Sequence, residues 1–381
     1  MALDRIVMPN PPFLCRFIDS VEELSAADDA LALLLAKKSR RDVSLNGVSH
    51  SDKYVLILTH DYDPEVTLVT IKLQSRGIQC VRLNTNDIAH EQLRVRYGIG
   101  PESSKANIEF TVGQHELDPS RVSAVLLRQF DLKEVNFCGN EVVRAFLFQQ
   151  WAHAFQILQR NLACEWISNP DATIKSSDRI RQLLAAETIG FDVPPTLITN
   201  DSTAAKDFYR LHGGNVVLKA LHHHSVLVGG TMYSTYARRM NDSELLMLDE
   251  NLVGAPCILQ KRLVKKSELR VTVIGEKVFA VELGHNFLDD DDIDIHHYLR
   301  TNNFPIEKVE SLPDRILNGC ISLVKSLGLK YGAIDFAIEK DSNRLIFLEI
   351  NPTGEWYWIE SKTGLRMTDA VANLIEDCLQ K

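Results

Sequence analysis

Two apolar segments near the C-terminal end, Tyr331-Gly-Ala-Ile-Asp-Phe-Ala-Ile-Glu339 and Arg344-Leu-Ile-Phe-Leu-Glu-Ile-Asn-Pro352, are joined by the short turn Asp341-Ser-Asn. Each has the length and composition of a strand, and the turn predicts that they pair antiparallel. Side chains alternate across a strand, so Ile334, Phe336 and Ile338 face one side while Ala333, Asp335 and Ala337 face the other. By the same alternation Glu349 and Asn351 share a face with Phe347, and Ile350 points away. Three oxygen-bearing side chains therefore converge from two otherwise apolar strands. Burying carboxylates without compensation is costly, and a hard cation such as Mg²⁺ that bridges nucleotide phosphates offsets the cost. Either acid alone would as readily be a solvated edge residue or a salt-bridge partner; the trio Asp335, Glu349 and Asn351 favours metal.

Upstream segments supply candidate phosphate contacts. Val216-Val217-Leu218-Lys219 is an apolar strand ending in Lys, followed by a loop with Gly229-Gly230-Thr231. A lysine there can meet triphosphate oxygens as a point charge, and glycine lets backbone N–H groups approach them; equally, a strand-end lysine can lie along the surface. His222, His223 and His224 are adjacent, cannot share a face, and read as loop residues. The stretch Ile258 to Arg270 places an apolar strand before a polar turn, with Glu268 and Arg270 on one face of the next strand. The backbone of Gln260, Lys261, Arg262 and Leu263 can read adenine, and Arg270 can stabilise charge on a transferring phosphoryl group. An ordinary hairpin with solvated charges has the same spacing.

The remainder reads as α/β followed by α+β. A strand at Tyr54 to Thr59, a helix from Pro64 to Arg76, and strands at Gln79 to Leu83 and Ser123 to Leu127 make an open α/β domain over residues 51–165. A long helix, about Glu141 to Asn161, leads into Asn169-Pro170 and one further helix carrying Lys175, Arg179 and Arg181 and ending at Gly190. Short β-rich segments then divide into a central unit, 166–255, and a C-terminal unit, 256–381. Arg128, at the end of a strand, suits a substrate carboxylate or phosphate, or a neighbouring acid. The run Asp289 to Asp292 reads as a solvated loop or a selector of a charged substrate.

Composition sets the outer bounds. The formal net charge of −9 opposes general binding to nucleic acid, whose affinity comes from neutralised phosphates. The 7 cysteines include no C-x-x-C pair and fit neither a disulfide framework nor a zinc site. No stretch approaches membrane-spanning length, and the early basic cluster follows its apolar run rather than preceding it, so the expectation is a cytoplasmic protein without membrane contact.

The order Lys175, Lys219, Gln260-Lys261-Arg262, Glu268-x-Arg270, Asp335, Glu349-x-Asn351-Pro352 resembles the ATP-grasp superfamily over about residues 169–381, with the α/β domain in front. The resemblance implies ATP held between two α+β units, magnesium on Asp335, Glu349 and Asn351, phosphates held by Lys175 and Lys219, and Arg270 on an acyl phosphate. Within the superfamily, Asn351-Pro-Thr-Gly-Glu-Trp356 resembles the N-P-x-G-Q-W of the graspetide or microviridin-type peptide macrocyclases, with Glu355 in place of Gln. Where that family often carries D-W-R, this chain has Asp294-Ile295-His296. The resemblance implies a ribosomal precursor peptide as partner, with Trp356 speaking for the substrate surface; a homodimer is also compatible. An ATP-grasp ligase for small amino acids or protein tails, or an ATP-binding regulator without turnover, shares the phosphate-site residues.

Residues 1–50 look separate. Pro12-Phe-Leu-Cys-Arg-Phe-Ile-Asp19 resembles the P-F-F-A-R-F-L leader motif of microviridin precursors. Phe13, Arg16 and Phe17 have the spacing that one helical turn would present together to a groove. The segment reads as a leader fused in cis or as a capping helix whose two Phe residues join the core.

Overall fold

The computed structural model describes residues 15–16, 53–60, 63–89, 93–98, 107–112, 115–130, 132, 135, 137–221, 225–228, 231–234, 237–242, 245, 254–284 and 304–380 of the 381-residue chain. The buried run Tyr54–Thr59 is a central parallel strand, as a continuous apolar segment requires. It lies between Cys80–Asn84 and Val122–Leu127, and Glu165–Ile167 adds a fourth parallel strand. The helix Pro64–Ser75 starts on Asp63, whose carboxylate accepts the Val66 N–H at 3.0 Å, with proline in the first turn. Asn140 caps Glu141–Asn161 in the same way. A small antiparallel meander, Leu93–Gly98, Asn107–Val112 and His115–Leu117, flanks this unit.

The single helix expected to carry Lys175, Arg179 and Arg181 is two. Pro170–Ser176 ends before Asp178, whose side chain accepts from the Ile180 and Arg181 N–H groups and starts Arg179–Ile189. An N-cap of this strength restarts the helix on a new axis. Gly190 then closes it at φ 94, in the left-handed region that favours glycine.

The central sheet runs Arg238–Arg239, Val216–Lys219, Cys257–Lys261, Thr196–Thr199, all antiparallel. Its small core is its own: Ala205, Tyr209, Val216, Leu218, Met240, Cys257 and Leu259. Ser225–Val228 pairs antiparallel with Thr231–Ser234. The backbone of Cys15–Arg16 forms a third strand, Cys15 opposite Ser234 and Arg16 opposite Tyr233. These two residues are thus extended rather than part of the helical turn expected there; ladder hydrogen bonds to an open strand edge replace local helix bonds.

The C-terminal sheet has the order Ile306–Lys308, Lys277–Leu283, Lys265–Ile274, Tyr331–Glu339, Leu345–Asn351, antiparallel throughout. One face, with Val271, Ile334, Phe336 and Ile350, packs on the helices Arg179–Ile189 and Asp314–Ser326. A second core is shared with the N-terminal unit. It joins Val55, Val66, Val69 and Leu73 to Ile274, Tyr331, Trp356 and the helix Met367–Leu379. No described helix is long and apolar enough to cross a membrane. None of the six cysteines whose side chains are described is disulfide-bonded.

Candidate active site

The sheet register places Arg270, Asp335 and Glu349 directly opposite one another on three neighbouring strands. Arg270 Nη1 donates to both Asp335 oxygens, at 2.7 and 2.5 Å. Arg179, from the helix behind the sheet edge, reaches Glu349 Oε2 at 2.6 Å. Burial works against the Arg270 charge, but Asp335 beside it more than compensates, and its pKa rises above the ordinary arginine value. Both carboxylates are thus neutralised by guanidinium groups, an arrangement in which a cation and phosphates can exchange partners with arginines.

One detail departs from simple alternation. Asp335 faces Glu349 while Phe336 faces Phe347, so Leu348 is an extra, bulged residue. The bulge resets the period. Phe347 therefore lies with Phe336 and Ile350 in the core, not on the face of Glu349. Gln182 clamps the strand just beyond: its amide donates to the Ile350 carbonyl at 2.9 Å and its Oε1 accepts the Ile350 N–H at 3.1 Å. Asn351 turns the chain, its Oδ1 accepting the Thr353 N–H at 3.0 Å. Gly354 then passes so close to the sheet that a Cβ would stand 2.6 Å from Ala333 Cβ and 3.4 Å from Arg270 Nη2. Only glycine fits there.

The other expected residues are distributed around this ladder. Lys219 ends its strand with Nζ 2.8 Å from Gln260 Oε1, and the buried Gln260 amide donates to Thr196 Oγ1 at 2.9 Å. The Lys261 and Arg262 N–H groups are engaged by the carbonyls of Pro195 and Asn215, both at 2.9 Å. Adenine cannot take those two donors without displacing them; Leu263 follows, half-buried. Lys175 is exposed on its own short helix. Glu268 is buried against Lys265 at 2.5 Å. Lys265 escaped the sequence reading because strand alternation puts positions three apart on opposite faces; a register shift between Lys265 and Ser267 brings them together. Arg179 and Gln182 also went unassigned, since a helix facing a strand edge leaves no local spacing signal.

Arg128, open to a substrate group or a neighbouring acid, and Trp356, read for the substrate surface, are both interior, and Arg128 stands beside the acids Asp63 and Glu65. Arg128 is buried, 4% exposed, and Trp356 only 1%. Neither can touch a substrate. Trp356 Nε1 donates to Thr368 Oγ1 at 3.2 Å, inside the shared core. His222 to His224, Gly229, Gly230, Asp289 to Asp292, Asp294 to His296, Phe13 and Phe17 lie outside the described residues.

Among the described residues no three His, Cys, Asp or Glu side chains cluster as a metal set. Asp335, Glu349 and Asn351 instead offer two carboxylates and a carboxamide on two neighbouring strands, Asn351 opposite Ala333 at the end of its strand. Such a donor set suits a magnesium ion that keeps phosphate oxygens among its ligands.

An antiparallel sheet carrying this ladder, beside a smaller sheet that ends in Lys219 and behind a parallel α/β unit, has solved counterparts. A Chryseobacterium gregarium RiPP-associated ATP-grasp ligase in complex with ADP and a leader and core peptide matches with a TM-score of 0.75 and 22% identity, over 85% of this chain and 97% of that one. This chain has the ATP-grasp ligase fold. The macrocyclase MdnC of Microcystis aeruginosa MRC, bound with precursor peptide MdnA, matches with a TM-score of 0.75 and 24% identity, over 85% of this chain and 99% of that one. The ATP-grasp ligase PsnB, complexed with a precursor variant, Mg and ADP, gives 0.65 and 18% over 86% and 99%. Residues 54–170 match the family model of the MvdD pre-ATP grasp domain. No curated protein matches the sequence.

Proposed function

We propose that this chain is an ATP-dependent ligase that activates side-chain carboxylates of a ribosomal precursor peptide as acyl phosphates and closes ester or amide macrocycles. The Arg270–Asp335–Glu349 register carries the reading. Magnesium-bound ATP, when present, supplies the γ-phosphoryl group. Asp335, Glu349 and Asn351 would hold the metal, Lys219 and Lys175 the phosphates, and Arg270 the charge that develops during transfer. A substrate carboxylate oxygen attacks the γ-phosphorus and ADP leaves. A hydroxyl or amine of the same peptide then attacks the activated carbonyl, phosphate leaves, and the nucleophile gives up its proton; each crosslink removes one water. The protein supplies position and charge, which is what phosphoryl transfer chiefly needs.

The leader-like segment belongs to the same reading. Cys15–Arg16 lies as an edge strand on Thr231–Ser234, so residues 1–50 are proposed to dock in cis and favour the active conformation. A tether gives high effective concentration, and weak docking is then mostly occupied. Deleting residues 2–45 should make activity respond to added leader peptide; a truncated chain indifferent to that peptide would end the fused-leader idea.

The test of function is mass spectrometry of a precursor peptide encoded beside this gene, after incubation with the purified chain, ATP and Mg²⁺. Loss of one water per crosslink, dependent on ATP, supports the reading. An unchanged peptide with ADP release stimulated by free amino acids would move the substrate to small molecules, and no acceptor-dependent ADP release would leave a nucleotide-binding regulator.

A further inference from the structure

The loop from Asn351 to Trp356 runs between two domains. Its inner side is the site: Gly354 lies against Ala333, Arg270 and Asn351. Its outer side is held by the N-terminal unit. Arg128, just past the strand Val122–Leu127, is fixed by its own N–H on the Leu58 carbonyl at 3.0 Å. Its Nη1 donates to the carbonyls of Thr353 at 2.9 Å and Gly354 at 3.1 Å. The Trp356 ring lies 4.4 Å from the guanidinium carbon, within cation–π range. Tyr331 OH donates to the same Gly354 carbonyl at 2.6 Å. Beyond Glu355, Glu65 Oε1 takes two consecutive N–H groups, those of Trp356 at 2.9 Å and Tyr357 at 3.1 Å, while its Oε2 stands 3.6 Å from Arg128 Nη2. Asp63 Oδ2 lies 3.8 Å from Arg128 Nε.

Two residues of the N-terminal unit thus hold consecutive carbonyls and consecutive amides of one short loop. A buried cation with two buried acids is a costly way to fill space, and apolar side chains would pack there at less expense. What apolar residues cannot do is fix a loop by its backbone at several points. The planar guanidinium serves two carbonyls and a ring face at once, which an ammonium cannot.

We propose that Arg128 is a positioning residue for the metal site: acting with Tyr331 and Glu65 through the Thr353 and Gly354 carbonyls, it holds the Asn351 carboxamide in register with Asp335 and Glu349. The inference rests on the metal assignment of the preceding section. It gives the N-terminal unit, which carries none of the assigned phosphate or metal groups, a share in organising the site.

The experiment compares wild type, Arg128→Lys and Tyr331→Phe for Mn²⁺ binding in the presence of ADP, read from the electron paramagnetic resonance of free Mn²⁺. ADP affinity without metal and thermal melting are recorded alongside. Losing a charge-assisted, multipoint contact should weaken Mn²⁺ binding about tenfold in Arg128→Lys, and losing one hydroxyl should weaken it about threefold in Tyr331→Phe. Metal-free ADP affinity should stay unchanged in both. An Arg128→Lys protein that melts lower yet binds Mn²⁺ as wild type does has lost only a structural contact, and the proposal falls. Should Arg128→Lys not fold, unchanged Mn²⁺ affinity in Tyr331→Phe overturns it. Wild type that binds no Mn²⁺ with ADP would remove the metal assignment and this proposal together, whereas wild-type binding with unaffected variants defeats the positioning role alone.

Discussion

The N-terminal unit and the C-terminal sheet bury residues such as Val66, Leu73, Ile274, Trp356 and Val371 in one continuous core, while the central sheet keeps a separate core, of seven buried residues among those described. The assigned groups divide along the same line. Asp335, Glu349, Asn351 and Arg270 stand on the part welded to the first domain, and Lys219 and Gln260 on the part that is not. A site that must hold metal ligands in fixed register but admit and release a nucleotide gains from this division. On the proposed function, the carboxylate ladder gains from a stiff support, and a sheet proposed to carry phosphate contacts gains from opening at modest cost.

The sharpest way to break the contrast is Asp335→Asn, which keeps the side-chain shape but removes a ligand charge from the stiff half. Peptide-stimulated ADP release should fall by about 10³-fold, and a wild-type rate would sink the metal assignment. Next in size is Trp356→Ala, which opens the shared core and should cost about 3–5 kcal/mol of global stability in urea melts. Protection of backbone amides should then fall together in Pro64–Ser75 and Met367–Leu379.

Leu259→Ala, in the separate core, should cost about 2–5 kcal/mol, but hydrogen exchange should accelerate in Val216–Lys219 and Cys257–Lys261 and not in Met367–Leu379. Equal acceleration in both would mean that the two cores unfold as one. The smallest effect concerns pH. Burial pushes the Glu65 carboxyl up to about 7, against the pull of Arg128, from an ordinary 4.5. Across that window the folded chain holds a proton that the unfolded chain has lost, so stability falls as pH rises, by at most about 1.4 kcal/mol per pH unit. Glu65→Gln keeps an acceptor for the Trp356 and Tyr357 N–H groups but has no such slope. Its stability relative to wild type should therefore increase between about pH 5 and about pH 7.5 in urea melts. Parallel curves would show that Glu65 does not titrate there.

Period and punctuation made much of this legible from sequence. The strands Tyr331–Glu339, Lys277–Leu283 and Val216–Lys219 and the helix Glu141–Asn161 fall where alternation and helical spacing place them. Asp335 stands out only together with Glu349 and Asn351, because one acid among Ile, Phe and Ala is as readily a salt-bridge partner, as Asp335 is for Arg270. What escaped is what depends on irregularity or on distant chain. The Leu348 bulge breaks the very period on which the reading of Phe347 relied. Arg128 suited a substrate group or a neighbouring acid, and it stands beside the acids Asp63 and Glu65; nothing local reveals that the Thr353 carbonyl, 225 positions away, also lies beside it. Trp356 follows the turn residues Asn351 to Gly354 and read as surface; its burial is decided by helices from both ends of the chain.

The shared core also has a consequence in time. Arg76, at the end of the Pro64–Ser75 helix, bonds Glu376, 300 positions later, in the Met367–Leu379 helix that closes this core. At roughly 5–20 residues per second, a ribosome needs about 15–60 s to make the intervening chain. Throughout that interval the first domain waits, folded or half-folded, without the helix that completes its apolar side. The Met367–Leu379 helix is therefore a closing step for the first domain, and the nascent chain is most exposed to chaperones and to aggregation just before that helix is made.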